Sequence, residues 1–454
     1  MPRLERGPQV GVESGDRRQP RTNNNMEKPT WVRWRIALLM IFASFVDYFF
    51  RYNLSIAAPS MIPSLGLTEI QWGWVMASFP LGYAIFQIPG GMAADRFGPR
   101  RVLALIMLAW GLLMALTGLV PGPALLPVGM IIVLLIAVEF LVGATHAPIY
   151  PTVNSTIERW FPVGHWGLPN GLTSTGLTWG AAAVTPVLVA LIAFIGWRAS
   201  FLAIAPLSFL AAGLWWWYVR NHPHEHRAVN AAEAELIAAN RVAPSQLQVE
   251  APAGDWRQVL GNRDLLLLTL SYSCMNYLYY TQFSWFFYYL DAVLKVGHGM
   301  SVTITALQWI AGGLAAGIGG WVCDRLCRWV GFRWGCRGPV VVAMLVSGTA
   351  LLLGLLSDNA VLAASLFVAF FFFNQFTEGP YWAASMAIGR HLAGTAGGVL
   401  NTGANAMGVI MTLAGPIIAA KVGWKASMAT AVPFALVAAM LMMFVRADRP
   451  AVPD

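Results

Sequence analysis

The sequence predicts an all-α membrane protein of twelve transmembrane helices, arranged as two pseudo-symmetric six-helix bundles. Three observations predict it. The 454 residues are 57% hydrophobic and only 11% charged, with mean hydropathy +0.60, whereas soluble domains carry about 25% charged residues. So few charges cannot clothe a water-facing surface. Twelve apolar stretches follow one another, most of them exceeding the ~20 residues that cross a bilayer as helix. The second ends in Gly90-Gly91-Met92-Ala93-Ala94-Asp95-Arg96-Phe97-Gly98-Pro99-Arg100-Arg101, and Gly319-Gly320-Trp321-Val322-Cys323-Asp324-Arg325 echoes it at the end of the eighth. The chain therefore reads as duplicated. Its stretches are rich in Gly, Ala, Leu and Trp and do not alternate strictly, which suits helices and excludes a β-barrel.

Residues 1–32 are polar and basic (Arg3, Arg6, Arg17, Arg18, Arg21, Lys28). No short apolar segment with a cleavage site precedes the first span, so the reading is a disordered tail rather than a leader. The first bundle, residues 33–219, holds helices near 34–59, 70–94, 101–121, 126–155, 168–195 and 199–219. Residues 220–263 form a polar central linker, in which NHPHEHRAVNAAEAELIAANR suits a short amphipathic helix. The second bundle, residues 264–446, holds helices near 264–292, 299–328, 338–357, 360–389, 393–421 and 424–446, and residues 447–454 form a short tail.

Charge fixes the expected orientation. Of the 29 Lys and Arg, Arg198, Lys295, Lys421 and Lys425 fall in loops on one side, Arg51 falls inside a span, and the remaining 24 lie on the other side. The positive-inside rule places the richer side, with both termini, in the cytoplasm, and the protein in the plasma (inner) membrane. The net charge of +8 is then a topology signal and implies no nucleic-acid partner. A six-plus-six layout with related halves is a transporter architecture, with its substrate site expected near the midplane between the halves.

The repeated turn has a physical task. Asp95 can accept from backbone N–H groups at the start of the next helix, and the glycines permit close helix approach. Arg96, Arg100 and Arg101 can bridge to neighbouring helix ends or to anionic lipid heads. Asp95, Arg96, Arg100, Arg101, Asp324 and Arg325 are thus expected to gate rather than to bind substrate, the alternative being that they only fix topology.

From about residue 35 to 445 the chain resembles the major facilitator superfamily, and within it the anion:cation symporter family of galactonate, hexuronate, glucarate and phthalate permeases and vesicular sialic acid carriers. The likeness rests on Arg51-Tyr52-Asn53-Leu54-Ser55-Ile56-Ala57-Ala58-Pro59, Gln87-Ile88-Pro89-Gly90-Gly91, Ala147-Pro148 with Pro151, Arg159-Trp160-Phe161-Pro162, Gly196-Trp197-Arg198, and Gly394-Thr395-Ala396-Gly397-Gly398 with Asn401. The turn motif is common to the superfamily; Arg-Trp-Phe-Pro together with the first-helix sequence is narrower. The resemblance implies transport of a small organic anion coupled to protons or sodium. The chain departs from it where the family commonly carries Asp-Arg and this sequence has Phe50-Arg51. Basic and acidic residues are also exchanged at Glu139 and His146, and Tyr272 departs from the amide or other polar side chain often found there.

Ionisable side chains within a bilayer are costly and default to functional candidates. Asp47 and Arg51 sit four apart on one helical face; they can pair, or Arg51 can turn its guanidinium fork toward a substrate carboxylate. Glu139 and His146 are two turns apart, ahead of a bend expected at Pro148 and Pro151. Glu378 follows Asn374 by four residues and precedes Gly379-Pro380, which should weaken the helix locally. Asp47, Glu139 and Glu378 are the candidate proton carriers. Arg51, Tyr83, Gln87, His146, Thr175, Tyr272, Asn276, Asn374 and Asn401 are the candidate substrate ligands. The aromatic run Tyr277, Tyr279, Tyr280, Phe283, Trp285, Phe286 and Phe287 can floor a cavity or meet lipid.

The leading expectation is a monomeric, proton-coupled symporter of an organic anion, surrounded by membrane lipid. Three acids against one fixed cation leave an exporter or antiporter of a neutral, zwitterionic or cationic solute as the alternative. No nucleotide loop, HExxH or nucleophile–base constellation supports an enzyme, and no cofactor is implied. The four cysteines are expected to be inert reduced thiols, since Cys323, Cys327 and Cys336 lack further ligands at metal spacing.

Overall fold

In the computed structural model residues 28–51, 53–238 and 256–451 are described. Residues 1–27 of the expected tail over 1–32, Tyr52, the linker residues 239–255 and residues 452–454 of the expected C-terminal tail lie outside them.

In the first half α1 (Val32–Arg51) and α2 (Asn53–Leu65) make the first span, α3 (Glu69–Phe97) the second and α4 (Pro99–Gly118) the third. The fourth comprises α5 (Val128–His146) and α6 (Ile149–Trp160). They break at Ala147-Pro148, where the proline ring crowds the preceding turn. The fifth and sixth spans lie in the 52-residue α7 (Gly167–Tyr218). A straight helix of that length would reach ~78 Å, far beyond the ~30 Å hydrocarbon core. Gly196, at φ 73°, turns the chain between the two spans.

The connection carries α8 (Ala231–Ala238) and α9 (Trp256–Leu260). In the second half α10 (Arg263–Thr281) runs on through π-turns to Val293 as the seventh span. The eighth and ninth share α11 (His298–Leu356), turning at Gly331, φ 78°. The tenth is α12 (Ala360–Gln375) with α13 (Glu378–Gly389), the eleventh α14 (Ala393–Val422), and the twelfth α15 (Trp424–Ala429) with α16 (Ala431–Met442). The tenth span breaks at Phe376-Thr377, one turn ahead of the expected Gly379-Pro380. Pro380 thereby falls in the first turn of α13, where its missing N–H costs nothing.

Trp110, Trp160 and Trp215 fill the first bundle, and Phe367, Phe370, Phe371 and Tyr381 the second. Large apolar side chains such as Leu105, Phe194, Leu314 and Val361 stand exposed around the perimeter, the surface a bilayer solvates. The bundles meet mainly through α3 against α14 and α7 against α11. The connection also docks on the first span: the buried Glu233 of α8 accepts from Val32 N and Arg33 N, both at 3.2 Å, and from Arg33 Nη1 at 3.0 Å. Thr30 Oγ1 donates to the same carboxylate. Glu233 thus satisfies orphan donors at the start of α1.

Candidate functional site: a central cavity between the halves

The polar residues of both halves converge on one central cavity. The first half contributes Tyr48, Arg51, Tyr83, Tyr150 and Ser174; the second contributes Tyr272, Asn276, Tyr280, Gln375, Glu378 and Asn401, among others. Six tyrosines in all reach it, Tyr279 being the sixth. In a membrane-embedded protein each hydroxyl there is a donor and acceptor held in a low dielectric.

Arg51 ends α1, and its guanidinium lies 5.0–5.3 Å from the ring centres of Tyr48, Phe79 and Tyr83. Nη1 donates to Tyr48 Oη at 3.4 Å. Such rings stabilise a cation through their faces and leave its planar fork oriented. From the other half, Glu378 Oε2 accepts from Tyr272 Oη at 3.0 Å and from Trp382 Nε1 at 3.1 Å. Among the described residues no cation lies within ion-pair distance of Glu378. Asn401 bridges the second and eleventh spans, donating to Tyr83 Oη and to Gln87 Oε1, both at 3.2 Å.

Five of the nine residues expected as substrate ligands, Arg51, Tyr83, Tyr272, Asn276 and Asn401, line this cavity; the other four do not. His146 is buried inside the first bundle, stacked on Trp110 at 4.5 Å with Nδ1 2.8 Å from Val142 O. Gln87 is fully buried behind Asn401. Thr175 Oγ1 donates to Gly313 O at 2.6 Å, tying the fifth span to the eighth, and Ser174 takes its place on the cavity wall. Asn374 donates to Met275 O, and Gln375 faces the cavity instead. The break at Phe376-Thr377 explains this last exchange. Thr377 N bonds Asn374 O three residues back, which tightens the turn, so the i, i+4 relation of Asn374 to Glu378 fails.

Of the candidate acids only Glu378 faces the cavity. Asp47 turns from Arg51 into the first bundle, accepting from Tyr150 Oη at 3.3 Å, with Oδ1 3.8 Å from His146 Nε2. That last distance is too long for a hydrogen bond, so Tyr150 is the link from Asp47 to the cavity. Glu139 is buried on α5 without a hydrogen-bond or ion-pair partner among the described residues. The aromatic run divides: Tyr279 and Tyr280 line the cavity, while Tyr277 stacks on Phe434 and Trp285 packs on Trp424. Tyr48, Tyr150, Gln375 and Asn405 are cavity residues that sequence reasoning missed. An i, i+3 or i, i+4 polar stripe connects most of them to residues that were identified: Tyr48 to Arg51, Gln375 to Glu378, Asn405 to Asn401.

The repeated turn caps a different helix from the one expected. Asp95 caps the start of α14, in the opposite half, rather than the next helix. It accepts from Gly394 N at 3.0 Å, Thr395 N at 2.7 Å and Thr395 Oγ1 at 2.8 Å. Asp324 does the same for α7, accepting from Gly167 N at 2.6 Å and Leu168 N at 2.9 Å. Carboxylates at helix N-termini are favourable on both hydrogen-bond and dipole grounds. The glycines let the backbones meet: a Cβ on Gly91 would lie 2.2 Å from Gly394 O, and one on Gly320 2.2 Å from Gly167 O. Arg100 reaches the end of the sixth span, donating to Trp216 O at 2.8 and 3.2 Å. Arg96 lies over Phe97 and Arg325 over Trp329, and the side chain of Arg101 is exposed.

These contacts close the basic face. Asn154 adds hydrogen bonds to Ser385 Oγ and Ala393 O. Beyond Asn401 and Thr175, toward the opposite face, no hydrogen bond joins the halves among the described residues.

Two pseudo-symmetric bundles, a polar cavity between them and reciprocal caps at one face define a multi-pass carrier rather than an enzyme. The sequence pattern of the Major Facilitator Superfamily matches residues 40–393, and the chain belongs to that superfamily of membrane transporters. It is 29% identical over 380 residues to a probable sulfoacetate transporter of Cupriavidus necator, covering 83% of this chain and 84% of the relative. It is 28% identical over 407 residues to a probable galactarate/D-glucarate transporter of Escherichia coli, covering 86% and 88%. It is 29% identical over 383 residues to a hexuronate transporter of Bacillus subtilis, covering 83% and 85%. These relatives fall in the organic-acid branch to which the sequence resemblance pointed. Among solved structures the proton:xylose symporter superposes with TM-score 0.70 at 16% identity, covering 91% of this chain and 96% of that one. The Escherichia coli fucose:proton symporter gives 0.66 at 14%, covering 91% and 99%. At these identities the likeness is one of fold.

Proposed function

We propose that this protein is a proton-coupled symporter of a small organic anion, a carboxylate in the first instance. It works by alternating access in the plasma (inner) membrane, with both termini and the capped face in the cytoplasm. The observation that carries the reading is that Arg51 and Glu378 line one cavity from opposite halves. The relatives named for sulfoacetate, galactarate/D-glucarate and hexuronates support the substrate class.

Charge compensation supplies the coupling. Empty, the cavity holds the Arg51 cation and the Glu378 carboxylate and is neutral overall. A monoanion bound alone leaves one uncompensated negative charge; a proton on Glu378 alone leaves one positive charge. Only the empty and the doubly loaded cavity avoid an unpaired charge at the membrane midplane, where such a charge is costly. The halves therefore rock in those two states, and each ligand tightens the other's binding. Tyr83, Asn276 and Asn401 supply neutral donors. Gln375 Oε1, buried and without a hydrogen-bond partner among the described residues, supplies an acceptor for a substrate hydroxyl. Asp47 serves behind Tyr150 as a reserve acid. The arrangement described is the one closed to the cytoplasm.

Uptake by proteoliposomes, screened over sugar acids, sulfonates, aromatic acids and dicarboxylates, tests this reading. Accumulation of one acid driven by an inward proton gradient and lost on adding a protonophore is expected. Proton movement evoked only by neutral or cationic solutes would replace it with the exporter or antiporter reading.

A further inference from the structure

Three of the four cysteines have converged. Cys323 and Cys327 sit one turn apart near the end of the eighth span. Cys336 returns beside them after the turn at Gly331. Their sulfurs form a triangle with sides of 3.7, 3.8 and 3.8 Å. All three are buried, Cys323 and Cys336 completely and Cys327 to 7% exposure. The local packing is tight: a Cβ on Gly335 would lie 2.5 Å from the Cys327 backbone and Sγ, so only glycine lets the ninth span return at this distance.

The triangle has the dimensions of a metal site. Thiolate–zinc bonds are about 2.3 Å, and a tetrahedron built on them has edges of about 3.8 Å. A point about 2.3 Å from all three sulfurs therefore exists, roughly 0.8 Å out of their plane, which is where a tetrahedral ion sits. A disulfide between any two would need its sulfurs at about 2.05 Å, a closure of well over 1 Å. Along the sequence Cys336 lies near the Cys323–Cys327 pair, and inert thiols were expected for want of further ligands; the turn at Gly331 brings its sulfur onto theirs.

The geometry points to a three-thiolate site at Cys323, Cys327 and Cys336 for a soft, thiophilic cation of the Zn²⁺ or Cu⁺ class, one per chain. Binding releases the thiol protons, as thiolates are the ligands, and soft sulfur donors select these ions over Mg²⁺ or Ca²⁺. Its place gives it a consequence. Asp324, the residue after Cys323, caps α7 across the halves, so an ion joining the eighth and ninth spans fixes the helix end that presents that carboxylate.

The test is metal analysis of the purified full-length protein, reduced and freed of chelator, after equilibration with Zn²⁺ or with Cu⁺ and gel filtration. The control is the C323S/C327S/C336S variant. One equivalent of either ion, reduced to background in the variant, is expected, and the two loadings distinguish the ions. Co²⁺ should give thiolate charge-transfer bands in the wild type that C336S alone removes. This second readout needs no triple replacement to fold. Equal metal in wild type and triple variant, or none in either, overturns the proposal. So does an as-isolated protein with two thiols fewer than four, restored by reductant, which would make the cluster a disulfide pair.

Discussion

Glu378→Gln isolates the electrostatic core of the account. The amide keeps the acceptor that Tyr272 and Trp382 use, so the perturbation is the loss of one ionisable charge. Arg51 and Glu378 line the same cavity from opposite halves, and an anion held at Arg51 is taken to lie ~8 Å from the Glu378 carboxylate. At an effective dielectric of ~20 two like charges at that distance repel by ~2 kcal/mol, or roughly 30-fold in affinity. The sign follows: in the wild type anion affinity falls about 30-fold as pH rises and Glu378 ionises. In Glu378→Gln the anion binds at high pH as tightly as it binds the wild type at low pH, and the pH dependence flattens. Trp382 lines the cavity and bonds Glu378, so intrinsic fluorescence titration over pH 5–9, checked by calorimetry, reads the effect. Identical pH profiles for the two proteins would refute the reasoning, because the anion would then not sense that carboxylate.

Arg51→Ala should weaken anion binding by about 1.5–3 kcal/mol, the worth of hydrogen bonds to a charged group, with expression and melting temperature preserved; unchanged uptake kinetics would remove Arg51 from the site. Asp95→Asn with Asp324→Asn weakens both reciprocal caps, each a set of charge-assisted hydrogen bonds worth about 1.5–3 kcal/mol. The basic face should then open, read as a longer spin-label distance between the ends of α3 and α14, whereas an unaltered distribution would mean the caps do not hold it. Gly91→Leu places a side chain where even Cβ would lie 2.2 Å from Gly394 O, so it should abolish counterflow while the protein still folds; normal exchange would show that α3 and α14 need not approach. Glu233→Ala leaves Val32 N and Arg33 N uncapped and should cost about 1–2 kcal/mol, seen as a lower melting temperature with substrate affinity unchanged.

The sequence made the spans legible because lipid demands long apolar helices with few exceptions. The eleventh was expected over 393–421 and runs Ala393–Val422. Helix faces were less legible. Periodicity says which residues share a face, but helices apolar all round do not say whether that face meets lipid, its own bundle or the other half. Glu139 and His146 illustrate this: both are buried, and both lie within the first bundle instead of between the bundles. Breaks inside spans hid more. A one-turn shift of the break in the tenth span exchanged Asn374 for Gln375 at the cavity. Asp95 lies some 300 residues from its partners Gly394 and Thr395, and only the packing of two related halves makes that contact. The same limit hid the contact of the Cys336 sulfur with those of Cys323 and Cys327.

The central claim is that one proton on Glu378 travels with one anion. The most direct measurement is substrate-evoked proton influx, recorded beside labelled-substrate uptake in the same proteoliposomes, with wild type and Glu378→Gln compared at zero membrane potential. The account predicts one proton per monoanion for the wild type; for the variant it predicts neither net anion entry nor proton entry, with counterflow exchange retained, because the empty variant cavity keeps the Arg51 charge unpaired. Equal proton influx in the two proteins would contradict it, as would wild-type uptake that follows sodium and moves no proton.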